Sequence, residues 1–264
     1  GDVMGNFTDW FNSSPLTVDR LAPTGLTTNS TSHTASVWST DNTVDVTWSG
    51  ASDSSGIDGY YTEWNTSPSS VTGPVVKDHE NSVSGETSSA LADGNSHYFH
   101  VLAKDMAGNW SGIAGAGPFW IDTTKPSNVT VSDSGSYTKN PNLTFTWPTS
   151  SDSGSGINYY KFYLNTAASH SVPVPSINGI NIGNVASYTL TDAQAALLSS
   201  GTTYYVKVRA VDNSGNYQTS AGNWSNGITL DIANPTITFA NKTEPNEHGW
   251  NNSNVTVSWN CSDS

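Results

Sequence analysis

The sequence predicts an all-β fold made of tandem antiparallel β-sandwiches. Three observations carry that reading. Val, Thr, Tyr, Trp and Phe, which suit a half-buried pleated surface, recur in short runs between clusters of Gly, Asn, Asp, Ser and Pro. Those runs alternate apolar and polar residues with the period of a strand. The order of the runs then repeats along the chain, as an array of similar units would require.

The repeat is read from five registers. Asp19-Arg-Leu-Ala-Pro23, Asp122-Thr-Thr-Lys-Pro126 and Asp231-Ile-Ala-Asn-Pro235 share the form Asp-x-x-x-Pro. After each comes a strand that ends in Trp and leads to Asp: VDVTWSGASD (Trp48, Asp53), LTFTWPTSSD (Trp147, Asp152) and VTVSWNCSD (Trp259, Asp263). In two units a turn then opens onto an aromatic strand, SSGIDGYYTEW and SGSGINYYKFY, and LADGNSHYFHVLAKD matches LSSGTTYYVKVRAVD. Each unit closes on Asp-x-x-Gly-Asn: Asp2 to Asn6, Asp105 to Asn109 and Asp212 to Asn216. The expected organisation is the end of a preceding repeat over 1–21, whole repeats over 22–124 and 125–234, and the start of a following repeat over 235–264.

Within a unit, alternation assigns faces. In TVDVTW, Val44, Val46 and Trp48 fall on one side while Asp45 and Thr47 face out. In TYYVKVRAVD, Tyr204, Val206, Val208 and Ala210 share the inner side, with Lys207 and Arg209 outside. Such patterning belongs to sheets with one wet face. DAQAALLSS (192–200) is the one stretch that reads as helix, a turn or two between strands.

These residues resemble fibronectin type III-like repeats of prokaryotic extracellular surface proteins, within the immunoglobulin-like class of sandwiches. The resemblance rests on the Trp that ends the second strand, on Leu-x-x-Gly before Tyr-x-Val-x-Val-x-Ala, and on the acidic turns and Asp-Thr-Thr-Lys-Pro linker. It implies an extracellular, surface-exposed location and a non-catalytic role, although this fold hosts many functions. The family's corner tyrosine corresponds to Tyr204 in the second unit but to His97 in the first. His97 can still bond back to the turn between Leu91 and Gly94.

Composition narrows the function classes. The net charge of −13 reflects 9 Lys and Arg against 22 Asp and Glu, and the bases are scattered singly. No basic stripe could track a phosphate backbone, so nucleic acid is not an expected partner. No apolar stretch approaches the roughly 20 residues of a membrane helix. The sole cysteine, Cys261, has no internal partner, and no Cys/His set has zinc spacing. The six histidines fall in no nucleophile elbow or metalloprotease helix, so no enzyme is expected.

Three kinds of site remain as candidates. In a sandwich of this class the linker into the first strand, the loop after the second strand and the loop before the last strand meet at one pole. Asp19, Asp53 and Asp105 should therefore gather in the first unit, and Asp122, Asp152 and Asp212 in the second, as an oxygen cage of the kind calcium takes. The alternative is that Asp and Asn serve only their own turns. Trp64 and Tyr61 offer flat rings for a sugar platform, or else pack inside. Glu63 and Glu86 read as outward, solvated carboxylates. Twelve Asn head Asn-x-Ser/Thr sequons for possible glycosylation: Asn6, Asn12, Asn29, Asn65, Asn109, Asn128, Asn142, Asn223, Asn241, Asn251, Asn254 and Asn260.

The function expected is a structural one: a stalk, sheath, surface layer or filament whose partners are copies of itself or flanking repeats, end to end. The alternative is a carbohydrate- or host-binding adhesin, or accessory modules of an extracellular glycosidase, with glycans as partners. Strands at 7–18, 237–239 and 255–259 would be parts of incomplete sandwiches, continued by further repeats or completed by neighbouring chains.

Overall fold

The structure is a computed structural model that describes residues 16–73, 75–167, 169, 171–218 and 224–263. The chain divides into two compact units, Gly1–Thr123 and Thr124–Ser264. Among the described residues no helix is long and apolar enough to cross a membrane.

The first unit holds β1 (Thr27–Ser30), β2 (Trp38–Ser39), β3 (Asp45–Ser49), β4 (Ile57–Asn65), β5 (His79–Glu80), β6 (Gly85–Thr87), β7 (Gly94–Asp105) and β8 (Ala114–Ile121). Two sheets form, ordered β1-β3-β6 and β2-β8-β7-β4-β5. All pairings are antiparallel except the short β2–β8 pair, which is parallel (Trp38 opposite Trp120, Ser39 opposite Ile121). The alternation read from TVDVTW is the observed one, with Val44, Val46 and Trp48 buried against Tyr60, Phe99 and Val101. Trp48 anchors this core, its ring centroid 5.6 Å from Tyr60 and 5.8 Å from Phe99.

The second unit repeats the plan with β9 (Tyr137–Thr138), β10 (Thr144–Thr146), β11 (Ile157–Asn165), β12 (Pro173–Asn181), β13 (Ser187–Thr189), β14 (Thr202–Asp212) and β15 (Ile228–Leu230). Its sheets are β10-β13 and β12-β11-β14-β15-β9, and β9 lies parallel to β15. Opposite β10 the first strand shrinks to a single bridge, Ser132 with Thr146. Trp147, Tyr160, Phe162, Val206 and Val208 fill the core. The expected helical turn is α1 (Asp192–Ala195), started by a capping box: Thr191 takes the Gln194 N–H, and Gln194 takes the Thr191 N–H.

The corner residues behave as their positions predict. The Tyr204 hydroxyl accepts from Ser199 N at 2.7 Å, and His97 Nε2 lies 2.8 Å from Ala92 O. The imidazole thus spans the turn that a phenol spans in the other unit.

Beyond β15, β16 (Thr236–Lys242) and β17 (Val257–Ser262) pair only with each other, Phe239 opposite Trp259. These strands form where alternation predicts them, and their residues are exposed. The strand expected over 7–18 lies mostly outside the described residues, and residues 16–18 carry none.

Candidate functional site

The acidic turns are built alike in the two units. Asp105 ends β7, and its backbone N–H donates to Asn109 O at 3.1 Å. Its carboxylate then accepts from Asn109 N and from Asn109 Nδ2, both at 2.8 Å. Gly108 supplies the left-handed step, with φ +98° and nothing within 4 Å of a would-be Cβ, so conformation rather than space selects glycine. Asn109 also reaches across to the incoming chain, donating to Asp19 O at 3.4 Å. The turn after β3 docks beside it: Asp53 accepts from the Ser55 N–H at 2.8 Å and hydroxyl at 2.9 Å, and Met106 N donates to Gly56 O at 3.1 Å.

In the second unit, Asp212 Oδ1 accepts from Ser214 Oγ (2.8 Å), Gly215 N (2.7 Å) and Asn216 N (2.8 Å). Asn216 Nδ2 donates to Thr124 O at 2.9 Å, and Asn213 N to Gly156 O at 3.0 Å. Asp152 accepts from Gly154 N and Gly156 N, each at 3.0 Å. The third copy of the turn, Asp2 to Asn6, lies outside the described residues.

The expected convergence is present in the first unit: Asp19, Asp53 and Asp105 offer carboxylate oxygens all within 4.8 Å of one another. In the second, Asp152 and Asp212 approach equally closely. Asp122 closes the first unit's chain, fully buried, with its N–H donating to Ser39 O at 2.9 Å. Asp105 is 1% exposed and Asp212 is 0% exposed. Burial pushes the Asp105 carboxyl up, but bonds from the Asn109 side chain and from the N–H groups of Asn109, Gly108 and Ala107 outweigh it and hold it below the ordinary value. The arrangement therefore keeps a carboxylate ionised inside the fold. It offers hard oxygen donors and no nucleophile–base pair.

The sugar platform does not form from the residues proposed for it. Trp64 packs on Phe99 at 5.2 Å and Phe119 at 5.9 Å, and its Nε1 donates to Glu86 at 2.7 Å. Tyr61 is buried and donates to Glu63 at 2.7 Å. Trp64 faces the core between the sheets, while Tyr61, on the opposite side of β4, lies beside the loop held on Glu63.

The two glutamates are likewise not free surface carboxylates. Glu86 bridges the sheets, accepting from Trp64, from Thr62 Oγ1 at 3.0 Å and facing His79 Nε2 at 3.0 Å. Glu63 gathers the loop after β4, taking Asn65 Nδ2 at 2.8 Å, Thr72 N at 2.9 Å and Gly73 N at 3.2 Å. No period or motif marks these two clamps, since their partners come from separate segments.

Burial alone would push Glu63 up, but the bonds from Asn65, Thr72 and Tyr61 hold it well below the ordinary carboxylate range. Burial and the Glu63 carboxylate push the Tyr61 hydroxyl up to about 12. A depressed carboxylate pKa adds stability above the unfolded value, and that stability is lost as the pH falls. The difference in thermal midpoint between wild type and Glu63→Gln should therefore be largest at neutral pH and narrow below the ordinary value of 4.5. Calorimetry from pH 7 to pH 2 checks this; a constant difference would contradict the clamp.

The sequons divide by geometry. Asn65, Asn109 and Asn142 commit Nδ2, the atom a glycan would occupy, to hydrogen bonds with Glu63, Asp105 and Leu190 O. Asn29, Asn128, Asn241, Asn251, Asn254 and Asn260 are exposed. Asn6, Asn12 and Asn223 lie outside the described residues.

No family model matches the chain. A Kelch domain-containing protein of Sulfurisphaera tokodaii is 28% identical over 220 residues, covering 82% of this chain and 26% of the relative. Chitinase A1 of Niallia circulans is 28% identical over 236 residues, covering 83% of this chain and 32% of the relative. The chain thus spans about a third or less of the curated relatives it matches. Among solved structures, fibronectin(III)-like modules of Clostridium thermocellum CbhA superpose with a TM-score of 0.38 at 12% identity, covering 77% of this chain and 94% of the other. The FN1–FN3 domains of chicken CNTN1 give 0.29 at 18%, covering 90% and 75%. The strand order and Trp-centred cores of the two units, described above, make the fold of this chain a tandem of fibronectin type III-like β-sandwiches.

Proposed function

We propose that the chain is a non-catalytic, extracellular run of β-sandwich repeats that serves a larger protein as structural material: a stalk, sheath, surface layer or filament component. The observation that carries this reading is the repetition itself. The same Trp-centred core and the same acidic turn are built twice, and the turn's Asn is spent on holding the incoming chain. The partial coverage of both curated relatives supports a segment that works inside a longer polypeptide. Its partners in this reading are flanking repeats or further copies, end to end. Small-angle scattering of the native, unfragmented protein tests it. An elongated particle is expected, and a radius of gyration near that of a sphere of the same mass would overturn it.

A second reading, accessory modules of an extracellular glycosidase or a glycan-binding adhesin, is favoured by the chitinase match. Trp38 and Trp120 are its surface, since their rings lie 5.4 Å apart and half-buried where β2 meets β8. Incubation with insoluble chitin and cellulose separates the readings. The structural reading expects the protein to stay in the supernatant. Saturable retention that Trp120→Ala abolishes would establish the second reading instead.

A further inference from the structure

Clustered acids are common on protein surfaces, and proximity alone decides nothing about a ligand. At the heads of these units a second observation does. A buried ionised carboxylate is tolerated when its oxygens are hydrogen-bonded or bound to metal. Asp212 has no exposure, and while its Oδ1 takes three hydrogen bonds its Oδ2 is buried with no hydrogen-bond partner. In the first unit Asp19 Oδ2 is buried in the same condition. One orphaned acceptor could be an accident of packing. Two, at corresponding heads of two repeats, need a common cause.

The distances name that cause. Two oxygens that each lie about 2.3–2.6 Å from one calcium ion can be at most about 5 Å apart. One carboxylate oxygen from each of Asp19, Asp53 and Asp105 lies within 4.8 Å of the others, as do one from Asp152 and one from Asp212. Among the described residues no Lys or Arg forms an ion pair with Asp19, Asp53 or Asp105. The donors are all hard oxygens with no imidazole or thiolate, which disfavours zinc and copper. They come from three turns of irregular spacing, which suits calcium better than the strict octahedron at roughly 2.0–2.1 Å that magnesium demands.

We propose that the head of each unit is a calcium site, held by Asp19, Asp53 and Asp105 in the first and by Asp152 and Asp212 in the second. The ion completes the buried acceptors and ties together the incoming chain, the β3–β4 turn and the β7–β8 turn of the first unit.

The test uses the full chain, stripped with chelator and then titrated with calcium, with magnesium, and with terbium read by tryptophan-sensitised emission. At calcium a hundredfold above Kd, the melting midpoint of the unit carrying the site should rise by about 10 °C. Asp105→Asn could fail simply by weakening its turn, so Asp19→Asn and Asp53→Asn are the decisive variants. Each should fold in chelator and lose at least tenfold in calcium affinity. Asp152→Asn should do so for the second site. Glu80→Gln, exposed and outside the cluster, should titrate as wild type. The proposal is overturned if chelator and calcium give the same melting curve and terbium does not emit. It is equally overturned if the calcium shift survives in both Asp19→Asn and Asp53→Asn, or if magnesium reproduces it in full.

Discussion

Trp147→Ala should lower the stability of the second unit by about 3–5 kcal/mol, the range for deleting a large aromatic from a core that cannot collapse around the gap. Trp147 is 4% exposed, stands 5.7 Å from the Tyr160 ring, and packs within a core lined by Val206, Val208 and Phe162. Denaturant unfolding followed by circular dichroism measures the loss. Trp250, which is 75% exposed, is the matched control and should change stability by less than about 0.5 kcal/mol on the same substitution. Comparable losses for the two would mean that the core is not centred where the alternation places it.

The second large effect lies in the acidic turn. Asp212→Ala removes a buried carboxylate whose Oδ1 serves a hydroxyl and two backbone N–H groups, those of Gly215 and Asn216. Hydrogen bonds to a charged group are worth roughly 1.5–3 kcal/mol each, and the variant escapes the cost of burying the carboxylate, which offsets part of the three, so a net loss of at least about 3 kcal/mol is expected. Asp212→Asn keeps an acceptor at the same position and should lose far less in chelator. Thermal unfolding of both variants side by side checks the turn independently of any cation. Equal losses would indicate that the charge, not the acceptor, holds the turn.

The parts of this molecule that were legible in advance share one property: their geometry is set by neighbours in sequence. Alternation over five or six residues placed Val44, Val46 and Trp48 inside, because a strand has only two faces. Asp105 and Asn109 could be read as one turn, since four residues bound their separation. The meeting of Asp19, Asp53 and Asp105 was legible only through the resemblance to a known class of sandwich, which supplies the loop order. Trp64 and Tyr61 were not. Tyr61 lies on the outer side of β4 beside the loop held on Glu63, and nothing periodic announces a loop that folds back over a sheet, while Trp64 turns to the inner side and packs on Phe99 and Phe119. The bridge from Glu86 to Thr62 and Trp64 was hidden for the same reason, as it joins residues of different sheets.

The parallel pairs β2–β8 and β9–β15 have a mechanical meaning. Each joins an early strand of its sandwich to that sandwich's last strand, side by side and pointing the same way. When such a unit is drawn out by its two ends, the strands are pulled in opposite directions along their length. Their bonds are then loaded together, in shear, and must fail as a group. An antiparallel pair at that place would be peeled open one bond at a time. A chain that passes tension from repeat to repeat would gain from that difference, even though each patch is only two residues long.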